Sequence, residues 1–226
     1  MTGERSDDER NAFGAALDNM GTWYAHKLTT TYALDVLPPG WETTPYEGRG
    51  WTTFEAAVSA LAKATSLTSW NRHVRTSQTS RQGVGTTRPP PVAPEAFAAT
   101  LARKTFTNGR SDCELVAGLY ADTFEAAFGG AELLIYQWAG WGDAEVEQLA
   151  RALPLARKAL FIDLTRNDAI GAAGWRALAA AIQAGGAPRL TVIKLSGRGW
   201  PTCDGGALRA ACEKRGIRLG VASDVK

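Results

Sequence analysis

Histidine and cysteine are scarce here, with two of the first and three of the second in 226 residues. Cys113, Cys203 and Cys212 form an odd set spread widely along the chain, which does not describe the disulfide framework of a small secreted domain. Cys203 and Cys212 could meet in space, and in a reducing compartment such a pair stays as thiols. Adding His26 and His73 does not supply a zinc site at these spacings. A charge excess is missing too: 25 basic and 23 acidic residues leave a net +2, too weak a field to steer the chain to nucleic acid. No apolar run approaches the ~20 residues that span a bilayer. The opening residues, Met1 to Arg10, are polar and acidic, the reverse of a signal peptide. Membrane and nucleic-acid partners are thereby set aside, and the expected location is cytoplasmic.

What is present has the make-up of a soluble globular protein, 45% apolar and 21% charged. The length allows one large domain or two small ones. Ser6-x-x-Glu9 is a capping box, and Phe13, Ala16, Leu17 and Met20 recur at helical spacing, predicting a helix over 8–20 that Gly21 ends. After an aromatic turn, residues 29–37 read as a strand with Tyr32, Leu34 and Val36 on one face, stopped by Pro38-Pro39-Gly40. Thr52 to about Ala64 reads as a second helix, with Phe54, Val58 and Leu61 on its buried side and Leu67 and Trp70 packed beyond its end.

Residues 72–94 change character. Arg72, Arg75, Arg81 and Arg88 lie among Ser, Thr, Gln and Gly, and the stretch runs into Pro89-Pro90-Pro91. It reads as a mobile, solvated linker with a stiffer polyproline end, or alternatively as a basic arm. Helices are expected at 94–104 and, opened by a Ser111-x-x-Glu114 capping box, over 112–128 with Leu115, Leu119, Phe124 and Phe128 inward.

From residue 131 the chain repeats itself. Leu134-Ile-Tyr136, Ile162-Asp-Leu164 and Ile193-Lys-Leu195 are short alternating strands spaced 28 and 31 residues apart, and Ile217-Arg-Leu219 makes a fourth 24 residues on. Matching helices lie between them. The segment Leu160-Phe-Ile-Asp-Leu-Thr-Arg-Asn167 with Ile170-Gly171 resembles a leucine-rich repeat of the ribonuclease-inhibitor type. The resemblance implies that Asn167 satisfies backbone groups where the chain turns off the strand. Ala139 and Arg198 stand at that position in the neighbouring units, so those turns must be held differently. A short array also needs a cap on its N-terminal end, for which the helix at 112–128 is the expected element. The residues between the paired apolar positions, Ile135, Asp163, Lys194 and Arg218, would point outward on the concave face. They are a candidate surface for a protein partner, or else a solvated face with an Asp163–Lys194 pair.

A second resemblance covers residues 11–61. Phe13-x-x-x-Leu17-x-x-Met20-x-x-Trp23-Tyr24-Ala25-His26, a strand, then Tyr46-x-x-Arg49-Gly50-Trp51-x-x-x-Glu55 is similar to the middle of a divergent, protist-type Toll/interleukin-receptor (TIR)-like domain. In enzymatic members of that family the glutamate of Trp-x-x-x-Glu serves in cleaving NAD. The resemblance therefore implies Glu55 as a catalytic carboxylate, Trp51 as its packing neighbour and NAD as a substrate rather than a bound cofactor. Read from the residues alone, Thr52-x-x-Glu55 is also a capping box, which would make Glu55 structural. His26 is read as a satisfied structural histidine.

The expected fold is α/β: a short parallel leucine-rich-repeat-like sheet with helices on one side, preceded by a partial TIR-like helix–strand–helix segment whose strand at 29–37 joins the sheet edge, or else two loosely joined halves. The expected organisation is a TIR-like segment over 1–71, a linker over 72–94, a helical cap over 95–130 and the repeat unit over 131–226. The function these features favour is a non-catalytic protein-interaction or scaffold module in intracellular signalling, needing no cofactor. The alternative is an NAD glycohydrolase using Glu55.

Overall fold

The computed structural model describes residues 6–34, 39–40, 43–61, 88–196 and 205–222. Leu67, Trp70, His73, Arg198, Cys203 and the first three arginines of the basic stretch lie outside the described residues. In chain order the helices are α1 (Asp7–Ala25), α2 (Gly50–Ala60), α3 (Pro94–Leu101), α4 (Arg110–Phe124), α5 (Asp143–Ala152), α6 (Ala172–Gln183) and α7 (Gly205–Lys214). The strands are β1 (Leu133–Ile135), β2 (Phe161–Asp163), β3 (Val192–Ser196) and β4 (Arg218–Ala222). The fold is α/β. The four strands form one parallel sheet in the order β1-β2-β3-β4, with α5, α6 and α7 as the crossovers that parallel pairing requires.

Register aligns Leu134, Ile162, Ile193 and Leu219 in one row across the sheet. Leu134, Ile162 and Ile193 are buried, against Val146 and Leu149 of α5, Trp175, Leu178 and Ile182 of α6, and Leu208 and Ala211 of α7, all within one contiguous core. Each helix brings its apolar stripe to this face because its buried residues recur at three- and four-residue spacing. The core continues without interruption to Phe54 and Val58 of α2.

Asn167 holds the turn after β2. Its amide donates to the carbonyls of Tyr136 (2.8 Å) and Leu164 (3.0 Å), and its Oδ1 accepts from Trp141 N (3.0 Å), joining two successive units. Ala139 stands in that place in the first unit, where Asn167 itself serves Tyr136 O and Arg88 takes the preceding carbonyl. Its Nη1 donates to Ile135 O at 2.8 Å, while Nε and Nη2 reach the carbonyls of Ala60 (2.7 Å) and Leu61 (2.9 Å) at the end of α2. The end of the basic stretch is therefore packed, although the sequence reads it as solvated. Arg88 is fully buried. Residues 88–92 form a strap whose alternate carbonyls accept from Trp141 Nε1 (onto Arg88), Gln148 Nε2 (onto Pro90) and the Tyr120 hydroxyl (onto Val92). Prolines suit this place because they bring no N–H that would need a partner. The array is thus capped by the strap, with α4 behind it through Tyr120, whereas the sequence points to the helix alone.

Several local expectations are corrected. α1 runs through Gly21 to Ala25. A Cβ at Gly21 would lie 1.9 Å from Thr123 Oγ1, so the glycine marks close approach to α4 and not a helix end. The box at Ser6–Glu9 forms. That at Ser111–Glu114 does not: α4 starts two residues earlier, Asp112 accepts from Asn108 N at 3.3 Å, and Ser111 donates to Asn108 O. Leu115 is consequently exposed. Residues 29–34 add no strand to the sheet. They lie along α2, with Thr31 and Ala33 buried and the Thr31 hydroxyl 2.7 Å from that of Ser59. Alternation was legible there, but the small residues face inward and Tyr32 and Leu34 outward. Residues 35–37 lie outside the described residues.

Candidate functional site

Glu55 sits in the second turn of α2. The helix begins at Gly50, which packs so closely on Phe106 that a Cβ would lie 1.9 Å from the ring. Arg49, extended at φ −95°, is the N-cap, and the strand-like pairing of Gly50 N with Thr105 O (3.0 Å) and Thr105 N with Gly48 O (2.9 Å) fixes the entry. Thr52 does not cap. Its hydroxyl donates back to Tyr46 O (2.5 Å) and Arg49 O (3.1 Å), so the proposed Thr52–Glu55 box is absent.

The Glu55 carboxylate is instead half-buried, beside the Tyr24 hydroxyl of α1 and the Arg49 charge. Burial pushes its pKa up, and Tyr24 and Arg49 offset only part of that. The same burial, with the Glu55 charge, raises Tyr24. Trp51 is engaged elsewhere: its indole N–H donates to Asp112 Oδ2 of α4 at 3.3 Å, and its ring meets Phe54 edge-on with centroids 6.4 Å apart. Burial works against the Asp112 charge, but hydrogen bonds from Asn108 and Trp51 outweigh it and hold the carboxyl below its usual range. His26 Nδ1 accepts from Leu28 N at 3.2 Å, a structural role. The pair Tyr24–Glu55 can tie α1 to α2, or present a carboxyl whose proton is held more tightly than usual.

The second candidate is the helix-free face of the sheet. Ile135, Asp163 and Lys194 fall in one row, as their spacing predicts, but Gly220 completes it. Arg218 pairs with Val192, in the adjoining row with Leu133 and Phe161. The slip is two residues, because Gly216 (φ +67°) turns Ile217 into the core before β4 begins. An even slip keeps Arg218 on the same face. The sequence reading missed Leu133, Phe161 and Val192, which strand alternation places on this face two residues before its own candidates. Leu133 is 60% exposed.

Asp163 and Lys194 do not serve one another. Asp163 Oδ1 accepts from Thr165 N (2.9 Å) and Thr165 Oγ1 (2.6 Å), closing the turn after β2. The Lys194 amine sits 5.5 Å from the Phe161 ring centroid, a cation–π contact. At the carboxyl ends of the strands, Trp138 and Arg166 occupy equivalent turn positions, both with positive φ (58° and 62°). The Arg166 guanidinium lies 5.4 Å from the Trp138 ring.

Among the described residues no cluster of His, Cys, Asp and Glu could hold a metal ion, and no helix is long and apolar enough to cross a membrane. Cys212 is buried on α7, and desolvation pushes its thiol up to about 11, which suits a core residue. Compared with protein families, curated proteins and solved structures, the chain matches none.

Proposed function

We propose that this chain is a non-catalytic protein-interaction module of the cytoplasm, combining a TIR-like segment with a short leucine-rich-repeat-like unit, and that its partner docks on the open face of the sheet. The observation that carries this reading is the row Leu133–Phe161–Val192, apolar side chains on the face that bears no crossover helix. The opposite row is already filled by the crossover helices. Apolar side chains on a sheet face gain about 25 cal/mol per Å² when a partner removes them from water. Lys194 and Arg218 beside them add a means of orienting that partner. Reversing charge at Lys194 and Arg218 and placing an acid at Leu133 should abolish association with the partner while leaving the circular dichroism spectrum intact. Retention of every partner by that variant would defeat the reading.

A second reading is favoured by Glu55, whose carboxyl is not spent on a helix cap and has a raised pKa. Under it, the carboxylate stabilises the oxocarbenium-like centre formed as nicotinamide leaves NAD. Release of nicotinamide by the purified protein but not by Glu55→Gln would establish that reading and remove the non-catalytic one.

A further inference from the structure

We infer that the open face selects an acidic, apolar peptide segment of a protein partner, laid across the strands with apolar side chains over β1 and β2 and carboxylates over β3 and β4. The inference rests on the reading of that face as the partner surface and specifies the partner's chemistry.

The two halves of the face differ. Leu133 and Ile135 of β1 and Phe161 of β2 make its first half apolar. Lys194 of β3 and Arg218 of β4, both exposed, make its second half cationic. The carboxylate available to balance them on these rows, Asp163, is already engaged by Thr165. Lys194 rests instead against Phe161, so an incoming carboxylate can take its amine without first breaking an ion pair to Asp163.

The spacing sets the ligand. Neighbouring strands lie ~4.8 Å apart, so β3 is ~10 Å and β4 ~14 Å from β1. An extended peptide advances ~3.3 Å per residue and turns alternate side chains to the same side, so its sheet-facing side chains recur every ~6.6 Å. A carboxylate two residues after an apolar anchor comes within reach of the long Lys194 side chain, and one four residues after it lies over Arg218. A carboxylate at each cation makes a charge-assisted hydrogen bond, and the anchor covers Leu133. A phosphate backbone or a lipid headgroup would match the two cations but leave Leu133 and Phe161 against a polar surface. That mismatch is why the peptide is favoured.

The test selects peptides from a random phage-displayed library on the full chain, then measures a synthetic consensus peptide by fluorescence anisotropy. The expected consensus is an apolar residue or pair followed at that spacing by two acids. Leu133→Asp and the double variant Lys194→Glu/Arg218→Glu should each weaken its binding about tenfold, a loss of about 1.4 kcal/mol. A peptide with its acids replaced by lysine should prefer the double variant to the parent protein. Peptides that need Leu133 but ignore the two cations would overturn the acidic specificity and leave the face as the partner surface. No selected peptide, or peptides indifferent to all three residues, would overturn both. Phosphatidylserine vesicles or polyuridylate that bind through Lys194 and Arg218, with Leu133→Asp silent, would overturn the peptide in favour of a phosphate-bearing surface.

Discussion

Arg88 lies over Tyr136, with its guanidinium carbon 4.5 Å from the ring centroid and both side chains buried. Among the described residues no carboxylate is paired with the cation; three main-chain carbonyls and the ring face receive it. Burial draws its pKa down to about 10, so it remains charged at neutral pH. One side chain therefore joins the end of α2 to the first turn of the repeat unit.

Arg88→Met keeps the apolar stem and removes the donors, leaving the carbonyls of Ala60, Leu61 and Ile135 without this partner. A buried group left unsatisfied costs about 1–3 kcal/mol, so a total loss of about 3 kcal/mol or more is expected in denaturant unfolding. Arg88→Lys should recover only part, since an ammonium cannot present the same planar fork. A change below about 0.5 kcal/mol, typical of a surface substitution, would show that residues 88–92 do not cap the array.

Tyr136→Phe should stabilise. Among the described residues the buried Tyr136 hydroxyl has no hydrogen-bond partner, and desolvation, only partly opposed by Arg88, pushes its pKa up to about 12. Phenylalanine keeps the ring beneath Arg88 and against Trp141, whose centroid is 4.4 Å away, and removes the unpaired group. A gain of about 1 kcal/mol, or a Tm about 3 °C higher, is the expected result.

Asp143 caps a helix other than its own. Its Oδ1 accepts from Gly171 N (2.6 Å) and Gly174 N (2.9 Å) at the start of α6, where the N-cap Gly171 has no side chain to do so. Asp143→Ala should cost about 1 kcal/mol. Hydrogen exchange should locate the effect, with faster exchange at the Gly171 and Gly174 amides and little change in the first turn of α5.

Glu55 gives stability a sign with pH. Its folded pKa is raised, so the folded state holds the proton more tightly than the unfolded one. Its contribution is then most favourable in acid and is lost as pH rises from the unfolded pKa through the folded one. Glu55→Gln removes that slope. Relative to the parent, the variant should be more stable at about pH 7 than at about pH 4. An unchanged difference between the two would show that the carboxyl is not desolvated against Tyr24.

The repeat unit was legible because its spacing and two-residue alternation are both set by packing on one sheet face, and Asn167 is explained by the backbone groups it satisfies. Arg88 was not legible. Among polar residues with no apolar periodicity, nothing local separates an arginine that meets buried carbonyls from one that meets water; its role depends on the end of α2 and Ile135, distant in sequence. The Thr52 and Ser111 boxes failed for a related reason: the motif fits several starts, and Gly50 against Phe106 and Asp112 beneath Asn108 selected earlier ones. Arg218 was placed on the right face but one row away, since the register of β4 depends on the turn at Gly216.

The central claim is that the open face of the sheet is the working surface. A benzophenone side chain introduced at position 133, compared with one at position 176 on the exposed side of α6, tests it most directly in cells. Photocross-linking from 133 that yields a defined adduct, lost on Lys194→Glu/Arg218→Glu, with none from 176, is the result predicted. An adduct from 176 and none from 133 would contradict it.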